Sequence, residues 1–192
     1  MQYLRIQIEK ASIDVRYHIK ATPSVVEELN PDAIIIAIGA QPVMPNIKGI
    51  EKPIVKEAVS SYEQIEDIGK KVVIIGGGTV GCEMALKLAE EGHFVSIIEA
   101  TDTLNAQGHM LYRIGIRHAM DKVKENITCF MFSLCVEIQD HVVVIEKERE
   151  QILIEANTVL IAVGQASKKE EHIVFIILHR QLIQLVIVIE WK

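Results

Sequence analysis

The chain has 192 residues, is 49% hydrophobic but only 5% aromatic, and carries a net charge of −6. A core drawn from Ile, Val, Leu and Ala suits an α/β sheet protein. The acidic balance, without a basic patch interleaved with aromatics, argues against nucleic acid or an anionic membrane as the main partner.

In chain order, residues 3–11 read as the end of an amphipathic helix and 13–19 as a strand. Thr22-Pro23 places a capping residue ahead of a proline at the first helical position, opening a short helix over 24–29 that Pro31-Asp32 stops. Residues 33–38 read as a buried strand ending at Gly39-Ala40. Residues 41–56 carry three of the five prolines, as an extended connector would. A short helix over 59–68 is the next expectation.

Residues 71–83, KVVIIGGGTVGCE, carry the most chemistry. A β-branched run, 72–75, ends in a glycine cluster and passes into a helix start. Gly76, Gly78 and Gly81 match the G-x-G-x-x-G fingerprint. In it the first glycine permits the tight turn, the second admits a pyrophosphate, and the third lets the helix pack on the sheet. Gly77 reads as turn filler, and Thr79 and Val80 offer their amides at the helix start. Val80, Met84, Leu86, Leu88 and Ala89 give that helix an apolar face, and Gly92 is its natural stop. A second strand, 94–98, then ends in Glu99, at the position where an acid accepts from both hydroxyls of an adenosine ribose and repels a 2′-phosphate. Residues 100–103 hold no Arg or Lys for such a phosphate, so the reading is NADH rather than NADPH. For Glu83, in the first helical turn, the helix dipole alone is a sufficient explanation.

A helix over 109–124 follows, then three strands, 127–138, 141–147 and 151–155, with connections short enough for an antiparallel meander. Asn157 precedes another buried strand, 158–163, which closes on Gly164. Three cysteines (Cys82, Cys129, Cys135) have no C-x-x-C or zinc spacing, and the histidines form no H-E-x-x-H group, so no metal site is expected. Cys82 reads as a small helix residue, and Cys129 and Cys135 as core. The opening MQYLRIQIEK lacks the features of a signal peptide, and the expected setting is reducing and cytoplasmic.

Two strand ends, Ala37-Ile38-Gly39 and Ala162-Val163-Gly164, are elements of the same kind. With QIEKASIDVRYHIKAT, PDAIIIAIGAQPVMPNIKGI, GKKVVIIGGGTVGCEMALKLAEEGHFVSIIEA and IEANTVLIAVG, they carry a family resemblance. Residues 1–166 resemble the pyridine nucleotide-disulphide oxidoreductase superfamily, and within it the C-terminal portion of the NADH:flavin oxidoreductase / 2,4-dienoyl-CoA reductase / enoate reductase group. The resemblance implies a Rossmann-like NAD(P)-binding βαβ domain with an antiparallel meander, flanked by a partial FAD-domain segment. It divides the chain into a partial FAD-binding segment (1–46), a connector (47–68), an NAD(P)H-binding domain (69–163) and a divergent return segment or tail (164–192). It also implies that Glu83 lies near the nicotinamide–flavin junction, and it brings Gly164 into the cofactor region.

The departures are as specific. The family's first glycine-rich βαβ, which binds the FAD pyrophosphate, has no counterpart here, and no Gly-Asp pair occurs in the sequence. After Ala166 the pattern gives way to SKKEEHIVFIILHRQLIQLVIVIEWK, whose apolar runs are interrupted by His179-Arg180-Gln181 and are too short for a membrane span. That stretch reads as a non-family ending and, if exposed, as an aggregation hazard. By resemblance the chemistry is hydride transfer from NADH to a flavin, with NAD(H) and a flavin or flavin-bearing domain as partners. No acid, base or nucleophile is assigned. A disulphide reductase or NADH oxidase relative, and a non-catalytic nucleotide-binding fragment, are the alternative readings.

Overall fold

A computed structural model describes residues 2–11 and 13–168; the expected tail lies almost wholly outside them. The described residues up to Gly39 form one compact unit, and Ala40–Ser167 form the other.

The first unit holds α1 (Gln2–Lys10) and α2 (Pro23–Leu29). Pro23 opens α2, the Thr22 hydroxyl accepts from the Val25 N–H at 3.5 Å, and Asn30 closes it in the left-handed region. The two strands expected at 13–19 and 33–38 are not formed. A strand exists only as a pair, and no backbone among the described residues forms a ladder with either segment. Ile13 and Ile35 are accordingly exposed.

The second unit begins with β1 (Ala40–Pro42), which pairs antiparallel with β10 (Gln165–Ser167). Its centre is a five-stranded parallel sheet. Lys71–Ile75 forms β3, which lies between β4 (Phe94–Ile98) and β9 (Thr158–Ile161); β2 (Val55–Glu57) and β5 (Ile127–Phe130) are the edges. The expected connector thus contributes an edge strand, and the expected helix at 59–68 is two short 3-10 turns. Thr79–Glu90 forms α3, and α4 is Met110–Lys122 with His109 at its N-cap.

The expected strand 127–138 is two strands with different partners. β5 joins the parallel sheet, whereas β6 (Ser133–Ile138) pairs antiparallel with β7 (Val142–Lys147), which pairs with β8 (Glu150–Glu155). The break falls at Phe132, whose φ of 52° no strand accommodates. The split also moves the cysteines: Cys129 is exposed and Cys135 half-buried, against the core positions expected for them.

Alternation along the parallel strands fills two cores. Val72, Ile74, Val95, Ile97 and Leu160 face α3 and α4, packing with Met84, Ala85 and Leu88. Their neighbours Val73, Ile75, Ile98, Val159 and Ile161 face the other way, onto Ile138, Val143 and Ile145 of the meander. A strand buried on both faces has no polar positions, which is why residues 72–75 read as an unbroken apolar run. On α3 the buried residues are Gly81, Cys82, Met84, Ala85, Leu88 and Ala89, not Val80 and Leu86. The helix ends as a Schellman motif: the Gly92 N–H donates to Ala89 O and the His93 N–H to Leu88 O, with Gly92 at φ 84°.

Gly81 sets how closely α3 lies on the sheet, since a Cβ there would stand 2.0 Å from Gly76 O. Gly81→Ala is therefore expected to destabilise the chain by about 1–3 kcal/mol through overpacking. Gly115, inside α4, has nothing within 4 Å of its would-be Cβ. Gly115→Ala should instead stabilise by about 0.5–1 kcal/mol through helix propensity. Urea denaturation reads both; the same sign for the two variants would sink this account of α3 packing.

Candidate functional site

The carboxyl ends of β3, β4 and β9 open onto one cavity of ≈ 570 Å³. Ile75, Ile98 and Ile161 form its floor, and Gly76, Gly77, Gly78, Thr79 and Val80 cross it as the turn into α3. Chain leaves β3 toward β4 on one side while β9 lies on the other, so the crevice sits where strand order reverses, the usual ligand position of an open parallel sheet.

Gly76 turns the chain at φ 107°, passing so close to β9 that a Cβ would lie 2.5 Å from Ala162 O. Gly77, read from the sequence as filler, is the most constrained residue of the turn. Its N–H donates to Glu99 Oε2 at 2.7 Å. Its carbonyl accepts from the Asn105 N–H at 2.7 Å and from the Cys82 thiol at 3.3 Å. A Cβ on it would fall 2.5 Å from Leu104 Cδ2 and 3.0 Å from Glu99 Oε2. Gly78 is the opposite case, with nothing within 4 Å of its would-be Cβ, so the backbone there is open to an approaching group. It is also the residue before α3, where amide N–H groups and the positive end of the helix dipole point outward.

Glu99 holds the turn from the end of β4. Besides Gly77, its carboxylate accepts from the N–H and the hydroxyl of Thr101, both at 2.8 Å on Oε1. An ionised carboxylate has about four acceptor sites, so one remains, on Oε2. The two-hydroxyl pattern expected for a ribose would therefore require Thr101 to yield. Among the described residues the cavity wall includes Glu57 and Glu99 and no Lys, Arg or His. Glu57 is engaged, accepting from Val59 N–H at 2.8 Å and Ser60 N–H at 2.6 Å.

All the residues singled out from the sequence line this cavity except two; Gly164 does so from the chain leaving β9. Gly81 lies beneath the turn as packing, and Glu83 lies off the cavity, accepting a hydrogen bond from the Tyr112 hydroxyl of α4. That bond pushes the Tyr112 phenol up to about 12. Residues the sequence reading passed over also line it, notably Thr101, Asn105, Ser133 and Cys135. The signal for Asn105 was present in Asn-Ala-Gln-Gly, a stretch rich in residues that tolerate a left-handed backbone. A second cleft of ≈ 650 Å³ runs along α4, lined by Ile114, Ile116 and Met120 together with Arg113, Arg117 and Lys124. Among the described residues no group of His, Cys, Asp and Glu is arranged to hold a metal, and no helix is long and apolar enough to cross a membrane.

The residues present suit a dinucleotide. Three features make the fit: the open approach at Gly78, the helix start behind it, and a buried donor, Asn105 Nδ2, with no partner among the described residues. They supply one glycine-rich strand–turn–helix and no second one for a flavin nucleotide among the described residues.

The pyridine nucleotide-disulphide oxidoreductase family matches residues 3–176. The chain is 33% identical over 169 residues to an NADH oxidase of Thermoanaerobacter brockii, covering 85% of this chain and 26% of that one. It is 28% identical over 164 residues to a cinnamate reductase of Clostridium sporogenes, covering 85% of this chain and 24% of the relative. In structure it is similar to a 2-naphthoyl-CoA reductase complex with 2-naphthoyl-CoA, with a TM-score of 0.82 and 26% identity over 94% of this chain and 27% of that one. The chain thus spans about a quarter of the length of these proteins.

Two variants separate the scaffold of the turn from its open face. Gly77→Ala is expected to destabilise by about 1–3 kcal/mol, having to displace Leu104 and Glu99. Gly78→Ala should stay within about 1 kcal/mol of wild type, the loss being confined to a poorer helix cap. Equal losses on denaturation would show the turn to be read wrongly. Burial pushes the Cys82 thiol up to about 12. At pH 8 Cys82 should therefore resist a thiol reagent until the chain is unfolded, and mass mapping of a native Cys82 adduct would contradict that.

Proposed function

This chain belongs to the pyridine nucleotide-disulphide oxidoreductase family, and on that premise we propose that it is the NADH-binding portion of an FAD-dependent oxidoreductase. The pyrophosphate lies against the Gly78 backbone and the Thr79 and Val80 amides, and the adenosine ribose reaches Glu99. The family's relatives are oxidoreductases, and the likeness to cinnamate and 2-naphthoyl-CoA reductases favours the enoate-reductase type of overall reaction. An NADH oxidase type is supported by the Thermoanaerobacter brockii relative. In either case bound NADH supplies the hydride and a flavin accepts it. This chain's residues bind and orient the nucleotide. Gly164 borders the cavity beside the glycine turn, and Glu83, held by Tyr112, orders the α3–α4 contact. In domain terms we assign residues 69–163 to the nucleotide domain and 1–46 to part of an FAD-binding domain.

One observation carries the choice of cofactor. Among the described residues the cavity wall holds two carboxylates and no cationic side chain to pair with a 2′-phosphate. Burying an unpaired phosphate beside Glu99 is costly. In a fluorescence titration of the full chain, NADH is expected to bind at least about tenfold more tightly than NADPH, a difference of about 1.4 kcal/mol. Glu99→Ala should weaken NADH, since it removes a ribose acceptor and releases Gly77 together. Equal affinity for the two nucleotides would overturn the NADH assignment, and no saturable binding of either would overturn the site itself.

A further inference from the structure

Asn105 is the one described residue whose buried side chain is left with an unpaired polar atom. It is 1% exposed, its backbone takes the left-handed region at φ 52°, and its Nδ2 has no hydrogen-bond partner among the described residues. Every other polar group of the residue is used or closely packed. The N–H donates to Gly77 O at 2.7 Å, and Oδ1 accepts from the Thr79 hydroxyl at 2.7 Å. The carbonyl accepts from the Gly108 N–H at 2.9 Å. Gly108 itself packs so tightly on the side-chain amide that a Cβ there would lie 2.4–2.6 Å from its atoms. The backbone of Asn105 is thus tied to the turn and its side-chain amide is held by Thr79 and packed against Gly108, while the residue lines the glycine-turn cavity.

A buried amide N–H without an acceptor costs about 1–3 kcal/mol, and a native fold seldom retains one without a use. The Thr79 bond places the amide beside the first residue of α3, where N–H donors and the helix dipole already favour an anion. Among the described residues the same wall holds no cationic side chain, so the donors it offers a pyrophosphate are neutral ones.

We propose that Asn105 is a further ligand of the dinucleotide, its Nδ2 donating to a pyrophosphate oxygen held at the glycine turn. The proposal rests on the cavity being the dinucleotide site and adds to it a side-chain donor that the glycine fingerprint does not contain. Thr79 is then a positioning residue: its hydroxyl takes up Oδ1, which turns the donor end of the amide toward the phosphates.

The test uses the full chain and two probes, ADP-ribose, which contains the pyrophosphate, and adenosine, which does not. Asn105→Asp keeps an oxygen for Thr79 and replaces the donor by a charged acceptor. It is expected to weaken ADP-ribose by at least about tenfold, the scale of a hydrogen bond to a charged group, and adenosine by less than about twofold. A parallel loss for both probes would make Asn105 scaffolding only, and an unchanged ADP-ribose affinity would remove it from the site; either overturns the proposal. In the wild-type chain, the ¹H–¹⁵N signals of the Asn105 side-chain amide should shift on adding ADP-ribose and not adenosine. That reading decides the matter even if the variant does not fold, and an unmoved amide would overturn the assignment. Wild-type chain binding neither probe would instead defeat the dinucleotide reading of the cavity.

Discussion

The backbone of Gly77 is the point on which the site depends. One carboxylate takes its N–H, while a backbone amide and a thiol converge on its carbonyl. These partners come from the end of β4, the loop before α4 and the interior of α3. A glycine turn left to itself has many conformations, since Gly loses more backbone freedom on folding than any other residue. Tying the two peptides that flank Gly77 to three separate elements fixes the neighbouring amides without any side chain in the turn. The donors are therefore in place before a ligand arrives, which lowers the ordering cost of binding.

Fixing the turn in this way requires the strands behind it to be rigid, and the double core provides that. β3 is packed on both faces, toward the helices through Val72 and Ile74 and toward the meander through Val73 and Ile75. Its carboxyl end cannot move without disturbing one core or the other, because interiors at near-crystalline packing density resist displacement. Glu99 is placed by the same logic: it follows Ile97 and Ile98, which are divided between the two cores.

How far the sequence can be read follows from which features are local. The strand–turn–helix, the Gly92 end of α3 and the proline-opened α2 were legible, since each depends on a few adjacent residues. The parallel sheet was legible from unbroken β-branched runs. The largest failures are non-local. Residues 13–19 and 33–38 have strand composition, but the partner that makes a strand is not a property of the segment. Residues 127–138 read as one strand because nothing in their hydropathy marks the change of partner at Phe132. Gly77 was misjudged for the same reason: its constraint comes from Glu99, Leu104 and Asn105, more than twenty residues away in sequence.

The placement of Glu99 raises an electrostatic difficulty that the geometry also answers. A carboxylate beside a bound pyrophosphate repels it, and at close range this outweighs a single neutral hydrogen bond unless the charge is met by donors. Here three donors converge on that carboxylate, two on Oε1 and one on Oε2. Its charge is spread into the dipoles of Gly77 and Thr101. The donor side of the Gly77 peptide faces Glu99, while the helix start beyond Gly78 presents its own N–H groups to the opposite side of the turn. On the proposed reading the turn separates two kinds of recognition over a few residues, an acceptor for hydroxyls and donors for phosphate oxygens. Swapping either kind for a cationic side chain would neutralise phosphate more strongly but would also pair with Glu99 and loosen Gly77. Among the described residues the wall holds no cation, and on the proposed reading the neutral amide of Asn105 adds a donor there without competing with Gly77 for Glu99.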